Sequence, residues 1–242
     1  MKITEKIKMD EVEFKKNGAI NIVALGDSVT HGCLSADEFD YEAPYWNQLR
    51  KKINALKPSI PVNVINSGIG ATTAPQGVER LERDVICHHP DLVIVCFGLN
   101  DVNFPLEDFE NALYEIFTRC SKISDVIYLA PNMLNSYVHK NTHPRHVNYA
   151  HQTMDYQING KMDLYMEKAK EVASKCSVYV CDGYGYMKKA EKEGRDTTEM
   201  LSNFVNHPTR EIHKIFADML FDIIFGDMKN DGKTFSGVIE RK

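Results

Sequence analysis

The sequence predicts an α/β fold: one doubly wound domain in which five parallel strands alternate with helices. Three observations carry this. Short apolar runs bounded by turn formers recur at 20–25, 62–66, 91–97, 126–130 and 177–181, which is the length and setting of buried strands. The stretches between them place apolar residues at helical spacing. The run Leu92-Val93-Ile94-Val95-Cys96-Phe97 is apolar at every position, as in a strand covered on both faces of a parallel sheet.

Each element follows from local chemistry. Residues 1–19 are polar and of mixed charge, and read either as a leading strand and turn or as a loose arm. The first core strand stops at Gly26-Asp27-Ser28. Pro44 suits the first turn of a helix that repeats Tyr45, Leu49, Ile53 and Leu56, and Pro58 and Pro61 end it. The second strand gives way to Ser67-Gly68-Ile69-Gly70, and Thr72 or Thr73 caps a helix expected to run to about His88. The third strand ends in Gly98-Leu99-Asn100-Asp101. Pro105 then opens a helix with Leu106, Phe109, Leu113, Ile116, Phe117 and Cys120 inward. After the fourth strand, residues 131–148 form a long polar loop with Asn132, Asn135, Tyr137, His139, His143 and His146, a length that suits a functional lid. A long helix is expected over 149–175, with Gly160 as a break. The fifth strand leads through Asp182-Gly183 to a helix over 184–193. Thr209 caps a final helix with Ile212, Ile215, Phe216, Met219, Leu220 and Ile223 on one face. The tail beyond Gly226 is polar and carries no clear pattern.

Composition narrows the function. A chain of 242 residues with 43% hydrophobic and 26% charged residues suits one globular domain spanning 1–242 rather than two. The net charge of -5 argues against a nucleic-acid or anionic-membrane partner. No apolar run is long enough to span a bilayer. No apolar segment follows Met1-Lys2-Ile3-Thr4-Glu5-Lys6, so no signal peptide is visible and a cytoplasmic location is expected. A secreted chain trimmed of its leader reads the same way. The cysteines form no Cys-x-x-Cys pair and read as reduced structural thiols. His139, His143, His146 and His151 fit no zinc spacing, so no metal is expected, and imidazoles facing substrate or water are the simpler reading.

Right-handed crossovers bring the C-terminal ends of the strands to one edge, where open α/β sheets hold their ligands. Ser28, Gly68, Asn100 and Asp182 each follow a strand end, so they are expected to gather there. A serine hydroxyl needs a base to become a nucleophile. His207, in a short loop restrained by Pro208, is the candidate. The oxyanion then needs donors: the backbone N–H groups of Ser28 and Gly68 and the side-chain amide of Asn100. Asp27 either braces the serine loop or meets substrate.

These blocks resemble those of the SGNH/GDSL hydrolases. Gly26-Asp27-Ser28 matches the first block, Asn66-Ser67-Gly68-Ile69-Gly70 the second, Gly98-Leu99-Asn100-Asp101 the third and His207-Pro208 the last. The blocks lie in the family's order and cover most of 20–225. The resemblance implies a flavodoxin-like three-layer α/β/α sandwich and no metal or organic cofactor. It also implies Ser28 as nucleophile, His207 as base, and Gly68 and Asn100 as oxyanion donors.

One departure stands out. The family places an aspartate three residues before the histidine, where this chain has Phe204. Asn203 can accept from the imidazole through its amide oxygen. A backbone carbonyl of 202–205 can also do so, or Asp196 or Glu199 folded back. A Ser28–His207 dyad steadied by a neutral acceptor is the preferred reading. The expected function is hydrolysis of a small-molecule carboxylic ester, with short acyl groups such as acetyl on a sugar or another polar alcohol. Alternatives are a thioesterase, lysophospholipase or acyltransferase using the same serine, or a domain that mainly binds an acylated carbohydrate. A phosphate-binding module is disfavoured, because no Gly-rich loop with a lysine is present.

Overall fold

The residues Ile20–Gly26 form an interior strand of the sheet (β1). Ile20 and the four residues from Ile22 to Leu25 are fully buried. Apolar side chains on both faces of a strand demand cover on both. In the computed structural model, which describes residues 1–226 and the backbone of 234–235, that cover is present. β1 pairs in parallel with β2 (Val62–Gly68) on one side and β3 (Leu92–Cys96) on the other. β4 (Asp125–Ala130) and β5 (Tyr179–Asp182) continue the sheet past β3. The order is β2-β1-β3-β4-β5, and a two-residue parallel strand, β6 (Thr234–Phe235), lies beside β5.

Helices complete three layers. Tyr45–Leu56 packs against Arg210–Phe225, while Leu106–Ser121 packs against both Ala74–Glu79 and Lys161–Lys175. Tyr45, Leu49 and Ile53 bury the inner stripe of the first of these helices, each side chain contributing roughly 1.5–3 kcal/mol of transfer free energy. The five-stranded sandwich expected from the sequence is therefore present. Because the chain steps from β1 out to β2 and back across to β3, the C-terminal ends of β1 and β3 border a crevice. Among the described residues, no helix is long and apolar enough to cross a membrane.

Two expectations need correction. Residues 1–19 are neither a strand nor a loose arm. Ile3–Lys6 and Glu11–Asn17 are helices, and Ile3 and Phe14 are buried. Asp10 caps the second helix and Glu13 reciprocates, a capping box visible as Asp-x-x-Glu. The helix expected up to His88 breaks into Ala74–Glu79, Leu81–Asp84 and a 3-10 turn at Ile86–His88. The long helix over 149–175 breaks at Gly160 as expected, into Val147–Ile158 and Lys161–Lys175, with Gly160 at a left-handed φ of 76°. The tail reading beyond Gly226 lies outside the described residues, apart from β6.

The N-terminal segment is anchored electrostatically. Lys6 Nζ meets Asp91 Oδ2 at 2.8 Å, and both side chains are buried. Asp91 Oδ2 also accepts the Asn21 N–H at 2.8 Å, so one carboxylate ties the first helix to the start of β1. Removing one partner of a buried pair strands the other charge. Asp91→Ala is therefore expected to destabilise the fold by about 3–5 kcal/mol, measured by urea unfolding against the wild type.

Candidate active site

Ser28 opens a single helical turn, Ser28–His31, directly after β1. Asp27 caps that turn: its Oδ1 accepts the Val29 N–H at 2.9 Å. The turn closes at Gly32 with a φ of 106°. Beneath it, the buried Arg80 guanidinium donates to Gly26 O at 3.0 Å and Ser67 O at 2.7 Å. Arg80 thus ties the ends of β1 and β2 together. No sequence motif marks this residue, because its partners are backbone carbonyls that only the folded sheet aligns.

His207 comes from the other side of the crevice. Its loop is closed by pairing between Leu201 and Pro208 and by the Ser202 N–H donating to His207 O at 2.8 Å. Asn203 organises the interior of the loop. Its Oδ1 accepts three N–H groups, those of Val205 at 3.0 Å, Asn206 at 3.0 Å and His207 at 2.9 Å. So held, His207 places Nε2 2.9 Å from Ser28 Oγ. Burial pushes its imidazole down to about 4, with the Leu34 carbonyl opposing the shift and His146 adding to it.

The residues 131–148 form a buttress more than a lid. Asn132 and Asn135 are fully buried. Asn132 Nδ2 donates to Asn206 O at 2.8 Å, and the Asn135 N–H donates to Val205 O at 2.9 Å. Both bonds fall on the histidine loop. His139 stacks on Phe204 with ring centroids 4.1 Å apart and pairs with Glu199 at 3.0 Å. His146 reaches the cavity beside Ser28, as does Tyr149 just beyond the stretch.

That cavity has a volume of about 350 Å³. Ser28, His207, Asn100 and Asn203 line it together with Cys33, Ala36, Gly70, Ala71 and Asn206. Cys33 is no rival nucleophile, since burial pushes its thiol up to about 11 and only a thiolate attacks. A larger cavity of about 980 Å³, lined by Thr4, Asp125 and Phe225 among others, contains none of the site residues expected from the sequence.

Three placements differ from expectation, and for Asp27 the bracing reading holds over the substrate one. Gly68 does not line the cavity: a Cβ there would overlap the His31 backbone, and its N–H donates to Asn66 Oδ1 at 3.0 Å. It is bare because β2 and the serine turn touch. Gly70, two residues on in the same block, takes the lining position, where a Cβ would sit 3.9 Å from the Ser28 Cβ. Asp27 does not meet the cavity either. Its carboxyl is turned under the serine turn, 1% exposed, and burial pushes it up to about 7. Asn203 lines the cavity, but its oxygen is spent on the loop, and the nitrogen end of the amide, Nδ2, stands 3.2 Å from His207 Nδ1. Neither Asp196 nor Glu199 folds back: Asp196 accepts the Tyr137 hydroxyl at 2.7 Å and Glu199 pairs with His139. Phe204 has a φ of 57°, and its ring lies against His139.

Asn100 behaves as expected in position, with its amide already engaged. Nδ2 donates to Thr72 O at 3.0 Å and lies 3.4 Å from Asp27 Oδ2. Next to it, Asp101 Oδ1 accepts the Ala74 N–H at 2.8 Å, and burial pushes the Asp101 carboxyl up to about 6. The Ser28 and Gly70 N–H groups make no hydrogen bond among the described residues.

The profile of the GDSL-like Lipase/Acylhydrolase family matches residues 24–215. No curated protein matches the chain. Among solved structures, an acetylxylan esterase from Geobacillus stearothermophilus superposes with a TM-score of 0.67 at 20% identity, covering 87% of this chain and 96% of its own. An alpha/beta hydrolase from the metagenome of Lake Arreo, Spain, gives 0.66 at 19% identity, covering 86% and 96%. At these identities the likeness is one of fold. Catalytic mutants of the Geobacillus enzyme alter a serine, an aspartate and a histidine three residues after the aspartate.

The buried setting of His207 has a direct readout. Imidazole NMR of the native protein is expected to show His207 still neutral at pH 5.5, about one unit below the ordinary histidine value, and titrating near pH 4.

Proposed function

The chain belongs to the GDSL-like lipase/acylhydrolase family and is an ester-hydrolysing enzyme; we propose that it works through an acyl intermediate on Ser28, cleaving short acyl esters of a sugar or other polar alcohol. The observation that carries this is the 2.9 Å contact between Ser28 Oγ and His207 Nε2 beside an open cavity.

The chemistry follows from the groups present. Ser28 Oγ attacks the ester carbonyl as His207 Nε2 takes its proton. The carbonyl oxygen gains charge and needs donors. The Ser28 and Gly70 N–H groups are available, and Asn100 adds an amide by releasing Thr72 O. The C–O bond to the alcohol then breaks, and the imidazolium returns the proton to the departing oxygen. Water, deprotonated by the same imidazole, attacks the acyl carbon, and the imidazolium returns the proton to Ser28 Oγ as the acyl C–O bond to the serine breaks.

Size and polarity support the substrate class. The cavity of about 350 Å³ suits a small ester, and Asn100, His146, Tyr149 and Asn206 offer polar atoms to an alcohol portion. The Geobacillus neighbour is an acetylxylan esterase, which favours acetyl over longer acyl groups and a carbohydrate over a lipid.

A serine-reactive phosphonate is expected to label the wild type at Ser28 and to leave Ser28→Ala unlabelled. Labelling of both proteins, or of neither, sinks the acyl-serine reading. Asn100→Ala is expected to lower kcat by about 10²–10³-fold. In a panel of esters graded by acyl length and alcohol polarity, kcat/KM is expected to fall from acetyl onward. A maximum at long acyl chains removes the short-acyl reading.

A further inference from the structure

The Asn203 amide has a fixed sense. Its Oδ1 accepts three backbone N–H groups. Turning the amide over would set an NH2 group against those same three donors, losing three bonds and adding repulsion. Its Nδ2 therefore faces outward, 2.9 Å from Asn206 Oδ1 and 3.2 Å from His207 Nδ1. One amide hydrogen serves each.

A ring nitrogen that accepts a hydrogen bond carries no hydrogen, and a neutral imidazole carries one in all. Burial keeps His207 neutral. We propose that Asn203 sets the resting tautomer of His207, holding the ring proton on Nε2, so that the imidazole donates to Ser28 Oγ and catalysis waits on the minor tautomer with its proton on Nδ1. This rests on the acyl-serine reading and adds to it the residue that limits its rate.

The other groups facing the ring do not reverse the argument. The Leu34 carbonyl favours a ring proton and has a lone pair to spare beside the Ser202 hydroxyl it accepts at 2.5 Å, but among the described residues the group within hydrogen-bond distance of Nδ1 is Asn203 Nδ2, at 3.2 Å. His146 is not an acceptor of fixed charge, and it disfavours the imidazolium. The carboxylates of Asp196 and Glu199 are engaged with Tyr137 and His139, and Asp40 with Arg210. In the Nε2–H tautomer the nitrogen facing Ser28 has no lone pair to take the hydroxyl proton. Attack requires the proton to leave Nε2 for solvent while another arrives at Nδ1. It also requires the Asn203 NH2 to withdraw from the new N–H. Once there, the cycle balances as before: Nε2 takes the Ser28 proton as the Oγ–carbon bond forms, and gives it to the alcohol oxygen as the ester bond breaks. Asn203 touches neither substrate nor reacting atoms, so it is a positioning residue.

Asn203→Asp tests this with the loop intact. One carboxylate oxygen keeps the three N–H bonds. The other replaces the NH2, accepts from Nδ1–H, and stabilises the imidazolium. Substituting an amide for the acid of a serine triad costs about 10⁴-fold through the wrong tautomer. The reverse change here is expected to raise kcat on a short acetyl ester by about 10²–10⁴-fold. It is also expected to move the acid limb of the rate profile to higher pH, because a neighbouring carboxylate favours the charged ring. Nitrogen-15 imidazole spectra, with the His207 signal assigned by its loss in His207→Gln, are expected to show Nε2–H in the wild type and Nδ1–H in the variant. A wild-type ring protonated on Nδ1 overturns the proposal whatever the variant does. A variant that shows Nδ1–H and is no faster overturns the claim that the tautomer limits turnover. If Ser28 takes no phosphonate, the acyl-serine reading fails, and the spectra still decide the tautomer.

Discussion

The contact between Ser28 Oγ and His207 Nε2 joins groups 179 residues apart, and the rest of the site depends on it. Two loops meet there, and each is rigid for its own reason. The serine turn is capped by Asp27, and Arg80 beneath it ties the end of β1 to β2. The histidine loop is knotted around one amide oxygen that accepts three backbone N–H groups. A hydrogen bond between two mobile loops would be diluted by their entropy. Here the ordering is done by bonds that involve neither reacting atom.

The electrostatics of the crevice are those of a dry site. Asp27 and Asp101 are both raised by burial, and Arg80 and His207 are both lowered by it. Such shifts arise when charge is taken out of water and not fully replaced. The missing replacement is clearest at His207, where an amide stands beside Nδ1 in place of a carboxylate. The same dryness strengthens any hydrogen bond offered to a developing oxyanion.

Phe204 stands three residues before His207 and supplies no acid. Its left-handed backbone turns the ring out against His139, and the chain thereby brings Asn203, one residue earlier, under the imidazole. His139 is held in turn by Glu199, and the buried Asn132 and Asn135 brace the same loop from behind. The long polar stretch before the Val147–Ile158 helix is thus largely committed to supporting His207. From that stretch, His146 is the residue that reaches the cavity beside the serine.

Much of this was legible in the chain alone. Five apolar runs fixed the strands, because a strand buried on both faces has no polar alternation to disguise it. The position of Ser28, Asn100 and His207 at strand ends or before the last helix followed from right-handed crossovers. Local patterns failed where the deciding partner is distant in sequence. Ile3 and Lys6 looked like part of a polar arm until Asp91 was beside them. Gly68 and Gly70 are equivalent as letters, and only the approach of the His31 backbone separates a packing glycine from a lining one. Asn203 was identifiable as a neighbour of the base, but not which end of its amide would face the ring. Three N–H groups from its own loop decided that, and they converge only when the tertiary structure closes the turn.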